Sequence, residues 1–387
     1  MSFCRRWILS CVLIVMEDTS MSDFFVIFES VPDPRDLNAR HDLREMLFIA
    51  LAAMLCGAEC CVEMAEFGQR KEALLRTILE LKHGVPSHDT FSRVFQRLDP
   101  AALEGAFIRF MEAFRQALGP GARPTVLAVD GKSLRCAYEK GRAHMPPMMV
   151  SVWGVAMRMT FAHTQAGHGG GEAEAAIALL QSLSLKGCVV TADAIHCDRR
   201  TVKTIKQRGG DYVIALKRNQ SRLLASVAAL FDATGSRGRS AETHEKGHGR
   251  QERRSILVIP APALAAEHRF GGLTTVARLV SERTIDDKTT REERMFIASR
   301  RFPPLELLEI IRSHWDIENG SHWQQDVVFH EDLARTRKDN GPRNLALMRR
   351  LTANVLKANP DKASTRVKRL KAAWSEDFFL DALTHMQ

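Results

Sequence analysis

The chain has 387 residues, 45% of them hydrophobic and 26% charged, with a formal net charge of +9 and a pI of about 9.3. That length is too great for one small core and fits two or three domains, and the composition is that of an ordinary soluble globular protein. No apolar run is long enough to cross a membrane, and the eight cysteines (4, 11, 56, 60, 61, 136, 188 and 197) form no Cys-x-x-Cys pair. These features exclude a zinc ribbon and a secreted disulfide framework, leaving free thiols in a reducing cytosol as the expectation.

"MSFCRRWILSCVLIVMEDTS" sets Arg5 and Arg6 before an apolar run from Trp7 to Met16. It resembles a weak signal peptide, but it is too short to span a bilayer and lacks a small-x-small cleavage site. Met16 and Met21 offer later starts, so residues 1–21 are expected to be an over-extended or disordered N-terminus. Helical patterns fill residues 22–120. "DLREMLFIALAAMLCGA" is strongly apolar, and "EMAEFGQRKEALLRTILELKHG" is amphipathic up to Gly84. "PSHDTFSRVFQRL" starts with Ser87 as N-cap, and "PAALEGAFIRFMEAFRQALG" opens at Pro100 and closes at Gly119. Such helices fit a helix-turn-helix-like DNA module and equally a helical packing domain.

After the linker "GPGARP" the pattern changes. "TVLAVDGK" reads as a strand ending in Asp130, "MMVSVWGVAM" and "MTFAHTQA" as an antiparallel pair, and "EAEAAIALLQSLSLKG" as a helix. "CVVTADAIHC" is a buried strand apolar up to Asp193, "DRRTVKTIKQRGG" a helix and "DYVIALK" a strand. The order β-β-β-α-β-α-β predicts an α/β fold with a mixed sheet. Residues 221–250 read as irregular, followed by three strand-like runs, "RRSILVIP", "TTVARLVSERT" and "ERMFIASR". Beyond Pro303 and Pro304, Leu308, Ile311, Trp315, Glu318 and His322 share one helical face by their spacing.

Asp130 and Asp193 both end apolar strands, and in open α/β sheets chemistry gathers beyond the carboxyl ends of strands. Glu318 is a carboxylate on an otherwise apolar helix face, which is costly unless paired or metal-bound. Three such acids together repel one another, and divalent cations remove that penalty. Hard oxygen ligands favour Mg²⁺ or Mn²⁺. A pair of ions about 4 Å apart activates the attacking oxygen and stabilises the leaving one in an in-line displacement. Asp326, Glu331 and Asp332 are rival third acids. Between Arg335 and Lys371 there are twelve Lys/Arg against two Asp/Glu, an excess of ten, which points to a polyanionic partner.

The stretches "FESVPDPRD", "PSHDTFSRVF", "VLAVDGKSLR", "VTADAIHC", "GGDYVIALKRNQ", "HGRQERR", "HWDIENGSHWQQDVVFHED" and "NLALMRRLTANVLK" together resemble the ISAs1-family insertion-sequence transposases, relatives of the H-repeat-associated proteins. The resemblance spans residues from about 24 to 374. It implies an RNase H-like DDE catalytic domain over 121–335, with a β-rich insertion at about 240–300. An all-α, transposase-associated domain over 22–120 precedes it, and a basic helical segment over 336–387 follows. It makes Asp130, Asp193 and Glu318 the catalytic, metal-binding triad, with Mg²⁺ or Mn²⁺ as two ions. The partners implied are double-stranded DNA, as the element's terminal inverted repeats and as target, and further copies of the chain when assembled on DNA. The setting implied is a bacterial cytoplasm, at the nucleoid. The chain departs from the family in "GHGGGEAEAA", which keeps only Glu172 of a Lys-Ser-Asn-Glu-like stretch, and in Ile311, His314 and Gln325 where related transposases place Tyr, Arg and Lys.

Candidate DNA contacts are Lys132, a point charge two residues after Asp130, Lys217 and Asn219 at the end of the last core strand, and Arg250 with His248, Arg253 and Arg254 in "HGRQERR". His314 and His322 flank Glu318 at i−4 and i+4, within reach of phosphate or of Glu318 itself. Arg335, Arg337, Arg343, Arg349 and Arg350 make the following helix basic, which suits backbone phosphates. Trp315 reads as core. The function expected is metal-dependent cleavage at element ends and 3′-OH strand transfer. Two alternatives stand beside it: an RNase H-like nuclease without strand transfer, and a catalytically inactive DNA-binding derivative.

Overall fold

The computed structural model describes residues 20–36, 39–117, 126–137, 146–167, 171–247, 249–286 and 288–384; Cys4, Cys11 and His248 lie outside them. Nine strands are found among the described residues: β1 (Val126–Ser133), β2 (Met148–Gly154), β3 (Met159–Gln165), β4 (Val189–Ala192), β5 (Asp211–Leu216), β6 (Arg239–Gly247), β7 (Arg250–Pro260), β8 (Thr275–Ile285) and β9 (Lys288–Ala298). They form one sheet in the order β3-β2-β1-β4-β5-β9-β8-β7-β6. β1, β4 and β5 are parallel, and all other neighbours are antiparallel. Where they pair with one another the parallel strands are largely apolar because both faces are covered. Along β5, Tyr212, Ile214 and Leu216 enter one core while Val213 and Ala215 enter the other, the period of two that a strand imposes.

Among the described residues six helices precede the sheet: α1 (Ser20–Phe28), α2 (Leu43–Leu55), α3 (Cys61–Arg70), α4 (Glu72–Leu75), α5 (His88–Arg97) and α6 (Pro100–Ala117). Four more lie between strands, α7 (Glu172–Ser182), α8 (Arg199–Gln207), α9 (Ser221–Thr234) and α10 (Ala263–His268), and α11 (Pro304–Ser313) follows β9. Four close the described chain, α12 (Trp323–Val327), α13 (Gly341–Ala358), α14 (Thr365–Trp374) and α15 (Glu376–Thr384). The Asp42 side chain caps α2, and Ser87 Oγ caps α5 by accepting from the Thr90 amide at 3.3 Å. α13 packs against α2, α5, α6 and β3, so the early helices and the sheet share one buried core running from Phe24 to Leu383. α11 covers the opposite face with Leu307, Leu308 and Ile311.

Three sequence expectations change. The run from Glu63 to Gly84 is broken at Lys71 and again after Leu75, and farther on the Glu45 carboxylate accepts from the Glu80 and Leu81 amides (2.8 and 3.0 Å). The stretch 221–247 is regular: α9 buries Leu223, Val227 and Phe231 at four-residue spacing, and β6 pairs along its whole length with β7. The strands between 239 and 298 lie where a β-rich run was expected, and they extend the same sheet, through β9 on β5.

The basic segment is the largest change. Glu331 is fully buried, and Arg350 grips it with Nη1 at 2.6 Å and Nη2 at 3.1 Å. Lys132 Nζ lies 3.4 Å from Glu331, 2.7 Å from Asp326 and 3.0 Å from Asp332. Arg349 donates to the Glu59 carbonyl at 3.3 Å, and Arg343 forks onto Glu104 at 2.6 and 2.8 Å. Lys132, Arg349 and Arg350 are thus interior cations, not phosphate contacts. Paired arginines fill such positions because an unpaired buried carboxylate is costly. The same network engages Asp326, Glu331 and Asp332.

Burial alone would raise the Glu331 carboxyl, but Arg350, with Arg349 and Lys132 behind it, holds it down at about 2. A depressed carboxylate stabilises the fold above its ordinary value of 4.5 and loses that contribution as pH falls through about 2. Glu331→Gln is expected to cost about 3–5 kcal/mol at pH 7, by leaving Arg350 buried and unpaired. Thermal melts at pH 7, 4.5 and 3 test this: the gap between wild type and variant should narrow only below pH 4.5.

Candidate active site

The last paired residues of the parallel strands β1 and β4 are Val129 and Ala192. The next residue on each is an aspartate, so Asp130 and Asp193 leave neighbouring strands at one level, roughly 5 Å apart at the backbone. Asp130 does not end β1; the strand continues to Ser133 against β2. Asp193 does end β4 and opens a tight turn, Ala194–His196. That turn is pinned from below: Asn219 Nδ2 donates to the Ala194 carbonyl at 2.6 Å and Gln220 Nε2 to the Cys197 carbonyl at 2.9 Å.

The segment carrying Glu318 is not one helix. α11 stops at Ser313, a π-helical turn covers Ile317–His322, and α12 follows. Such turns concentrate at functional sites. Asp316 anchors the turn, accepting from Trp153 Nε1 at 2.9 Å and Arg158 Nη1 at 2.7 Å. Ile317 packs on Ala128 and Trp153. Gly320 fits close beneath, where a Cβ would sit 3.1 Å from the Trp153 ring. Ala128 and Asp130 share a face of β1, so seating Ile317 on Ala128 brings Glu318 toward the aspartates. Because the α periodicity breaks, Glu318 stands exposed at the mouth instead of on a buried face. Trp315 likewise is 40% exposed, with the Arg294 guanidinium 5.2 Å from its ring centre.

The two flanking histidines each meet one aspartate. His314 Nε2 is 3.7 Å from Asp193 Oδ1, and His322 Nδ1 is 3.8 Å from Asp130 Oδ2. Burial, with Arg350 and Lys132 nearby, pushes His322 down to about 4, and burial lowers His314 too, against the pull of Asp193. His322 is thus a neutral imidazole at pH 7. Asp130 is pushed up to about 7 by burial and by Asp193, Glu172 and Glu318, against a hydrogen bond from the Gly131 amide. Burial and Asp193 raise Glu318 as well. The acids feel one another without being drawn to one point: among the described residues, no three His, Cys, Asp or Glu side chains are gathered at ligating distance.

A "Transposase DDE domain" family model matches residues 121–355, and a "DDE_Tnp_1-associated" model matches residues 25–111. The chain belongs to the DDE transposase family. It is 29% identical over 364 residues to the "H repeat-associated putative transposase YhhI" of Escherichia coli (strain K12), covering 91% of this chain and 95% of that one. "Putative protein YbfL" of the same strain gives the same identity and coverage. An "Uncharacterized protein in dhlA 3'region" of Xanthobacter autotrophicus is 37% identical over 282 residues, 72% of this chain and 94% of that one. These relatives agree with an ISAs1-type transposase.

In this DDE transposase the other expected contacts are dispersed. Lys217 is exposed on a cavity of about 230 Å³ that also holds Asp193, His314, Arg294 and Trp315. The Asn219 amide is committed to the turn behind Asp193. Arg250 lies at the tip of the β6–β7 hairpin, 3.0 Å from Glu252, and Arg253 and Arg254 are likewise paired with glutamates. Arg335 and Arg337 line a separate cleft with Glu59 and Glu63, and Arg337 Nε donates to the Cys136 carbonyl at 2.9 Å. Two groups outside the expected set reach the site, Glu172 and the buried His196, 3.3 Å apart. Nothing in their spacing marks them, since they meet only through the fold.

Removing one of the mutually repelling carboxylates should stabilise the metal-free protein. The folded Asp130 value lies above the ordinary 3.8, so the fold loses stability as pH rises from 3.8 through about 7. Asp130→Asn is therefore expected to raise the melting midpoint in EDTA by about 1–3 °C at pH 8, with little gain at pH 4. Paired thermal scans at both values check it.

Proposed function

We propose that this chain catalyses DNA transposition, cleaving phosphodiesters at the ends of its element and transferring the freed 3′-OH into target DNA. Asp130, Asp193 and Glu318 are the catalytic carboxylates. The observation that carries this is the pair of aspartates following Val129 and Ala192, with Glu318 seated beside them by Ile317 on Ala128. The strand order β3-β2-β1-β4-β5, with β1, β4 and β5 parallel, supports an RNase H-like core extended by four antiparallel strands.

The donor set suits Mg²⁺ or Mn²⁺: hard carboxylate oxygens, mutually repelling, with Asp130 pushed up to about 7 by burial and the neighbouring acids. Asp130, Asp193 and Glu318 would hold the ions, which supply charge neutralisation for the phosphate and the leaving oxygen. The chain's own residues position the reaction. Trp153 and Arg158 fix the Glu318 turn through Asp316, and Asn219 and Gln220 fix the turn behind Asp193. His314 and His322 stand beside the two aspartates, 3.7 and 3.8 Å away. Lys217, exposed beside Asp193, takes a backbone phosphate. Two element ends are held together by an assembly of several copies, acting at the bacterial nucleoid.

The test is cleavage of a labelled element-end duplex in Mg²⁺ or Mn²⁺. Glu318→Gln at matched DNA binding is expected to lower the rate at least ~100-fold. Joined products separate strand transfer from plain hydrolysis. Wild type that binds but does not cut would instead favour an inactive DNA-binding derivative, consistent with the altered "GHGGGE" stretch. Lys217→Ala should weaken duplex binding and reduce the log–log salt slope by about 1, since one phosphate contact is lost; an unchanged slope would remove Lys217 from the interface.

A further inference from the structure

Glu172 opens α7, which packs on β2 and β3, and its side chain reaches back to β1. It approaches so closely that a Cβ at Gly131 would stand 2.7 Å from its Oε1 and 3.0 Å from Met148 Sδ. A glycine directly after Asp130 is what admits this carboxylate beside the first aspartate. On the other side lies His196, three residues after Asp193 and fully buried. Its Nε2 is 3.3 Å from Glu172 Oε1, yet neither ring nitrogen makes a hydrogen bond. A buried imidazole without a partner is costly, so this pair is incomplete as an internal ion pair. Two residues on, Glu174 behaves as an ordinary surface acid, paired with Arg200 at 2.7 Å. Among the described residues Glu172 has no such cation, and its side chain is only 17% exposed.

We infer that Glu172 is a fourth carboxylate of the site, sharing with Asp130 one of the divalent cations that the proposed reaction uses. The inference rests on that reaction. His196 is the outer partner: with an ion on Glu172, its ring N–H turns into line with the carboxylate oxygen that the ion leaves free, as imidazoles and carboxylates pair around metal sites. The Coulomb effect of Glu172 on Asp130 is consistent with that proximity.

The experiment is Mn²⁺ titration of the full chain without DNA, by calorimetry, with melting in EDTA and in Mn²⁺. Glu172→Gln is expected to bind Mn²⁺ at least tenfold more weakly or to lose one of two ions. Its melting midpoint in EDTA should equal or exceed that of wild type, and most of the Mn²⁺-induced rise should be gone. Glu172→Asp keeps the charge but withdraws it by one methylene, and should fall between, which also guards against a folding defect in the first variant. Asp130→Asn serves as reference and should lose binding. If Asp130→Asn loses Mn²⁺ and Glu172→Gln does not, this inference alone fails. If Glu172→Gln melts lower in EDTA with unchanged affinity, Glu172 is a structural partner of His196. If wild type binds no Mn²⁺, both this inference and the proposed reaction fall.

Discussion

A carboxylate wholly removed from water stays ionised only if cations surround it. Glu331 meets that condition through Arg350, with Lys132 and Arg349 completing the enclosure. The consequence is geometric as well as energetic. Lys132 belongs to β1, Asp326 to α12 and Arg350 to α13, so one ion cluster joins the central strand to the two helices that follow the Glu318 turn. Lys132 stands two residues beyond Asp130, and Asp326 eight beyond Glu318. The knot therefore fixes the register between the strand carrying the first aspartate and the segment carrying the glutamate. A helix end held only by apolar packing would be free to slide by a fraction of a turn; a buried fork of hydrogen bonds is not.

That cluster and the candidate site handle the same problem in opposite ways. In the cluster three carboxylates (Asp326, Glu331 and Asp332) meet three cations (Lys132, Arg349 and Arg350). In the site Asp130, Asp193, Glu172 and Glu318 repel one another, and their nearest titratable partners are imidazoles. The balance separates acids that hold the fold from acids that leave their charge available. On the proposed reaction it also favours Glu318 over Asp326, Glu331 and Asp332, a distinction that sequence spacing alone does not make, since Asp326 repeats the helical phase of Glu318.

The two aspartates were legible because each interrupts an apolar run at the point where a parallel strand loses its neighbour. Glu318 was legible for a less sound reason. The α-helical spacing that singled it out does not persist, because the chain there goes through a π turn, and the residue is exposed where a buried one was expected. Asp316, not Glu318, is the acid that packs inward, satisfied by Trp153 and Arg158 across a separation of more than 150 residues. Glu172 and His196 were invisible as a pair for the same reason. The helix α9 carried a readable apolar stripe, Leu223, Val227 and Phe231, that the polar run following it from Thr234 to Arg250 obscured. β6 carried none, being an edge strand dressed in charges, which suits an exposed edge.

Charge counting failed most clearly over 335–371, and the failure bears on how DNA is met. Of twelve cations there, Arg349, Arg350, Lys368 and Arg369 are buried, and Arg343 is spent on Glu104. Arg335, Lys338, Lys357, Lys362 and Arg366 remain exposed. The net charge of +9 still draws in a polyanion at long range, but it does not locate the duplex on the surface. At short range the mouth of the site is acidic, and a phosphate entering between Asp130, Asp193 and Glu318 is repelled until their charge is cancelled. On the proposed reaction, cation binding and phosphate engagement are thus thermodynamically linked, each strengthening the other. On the same proposal Lys217, which lines the cavity with Asp193, would hold a neighbouring phosphate while that cancellation occurs.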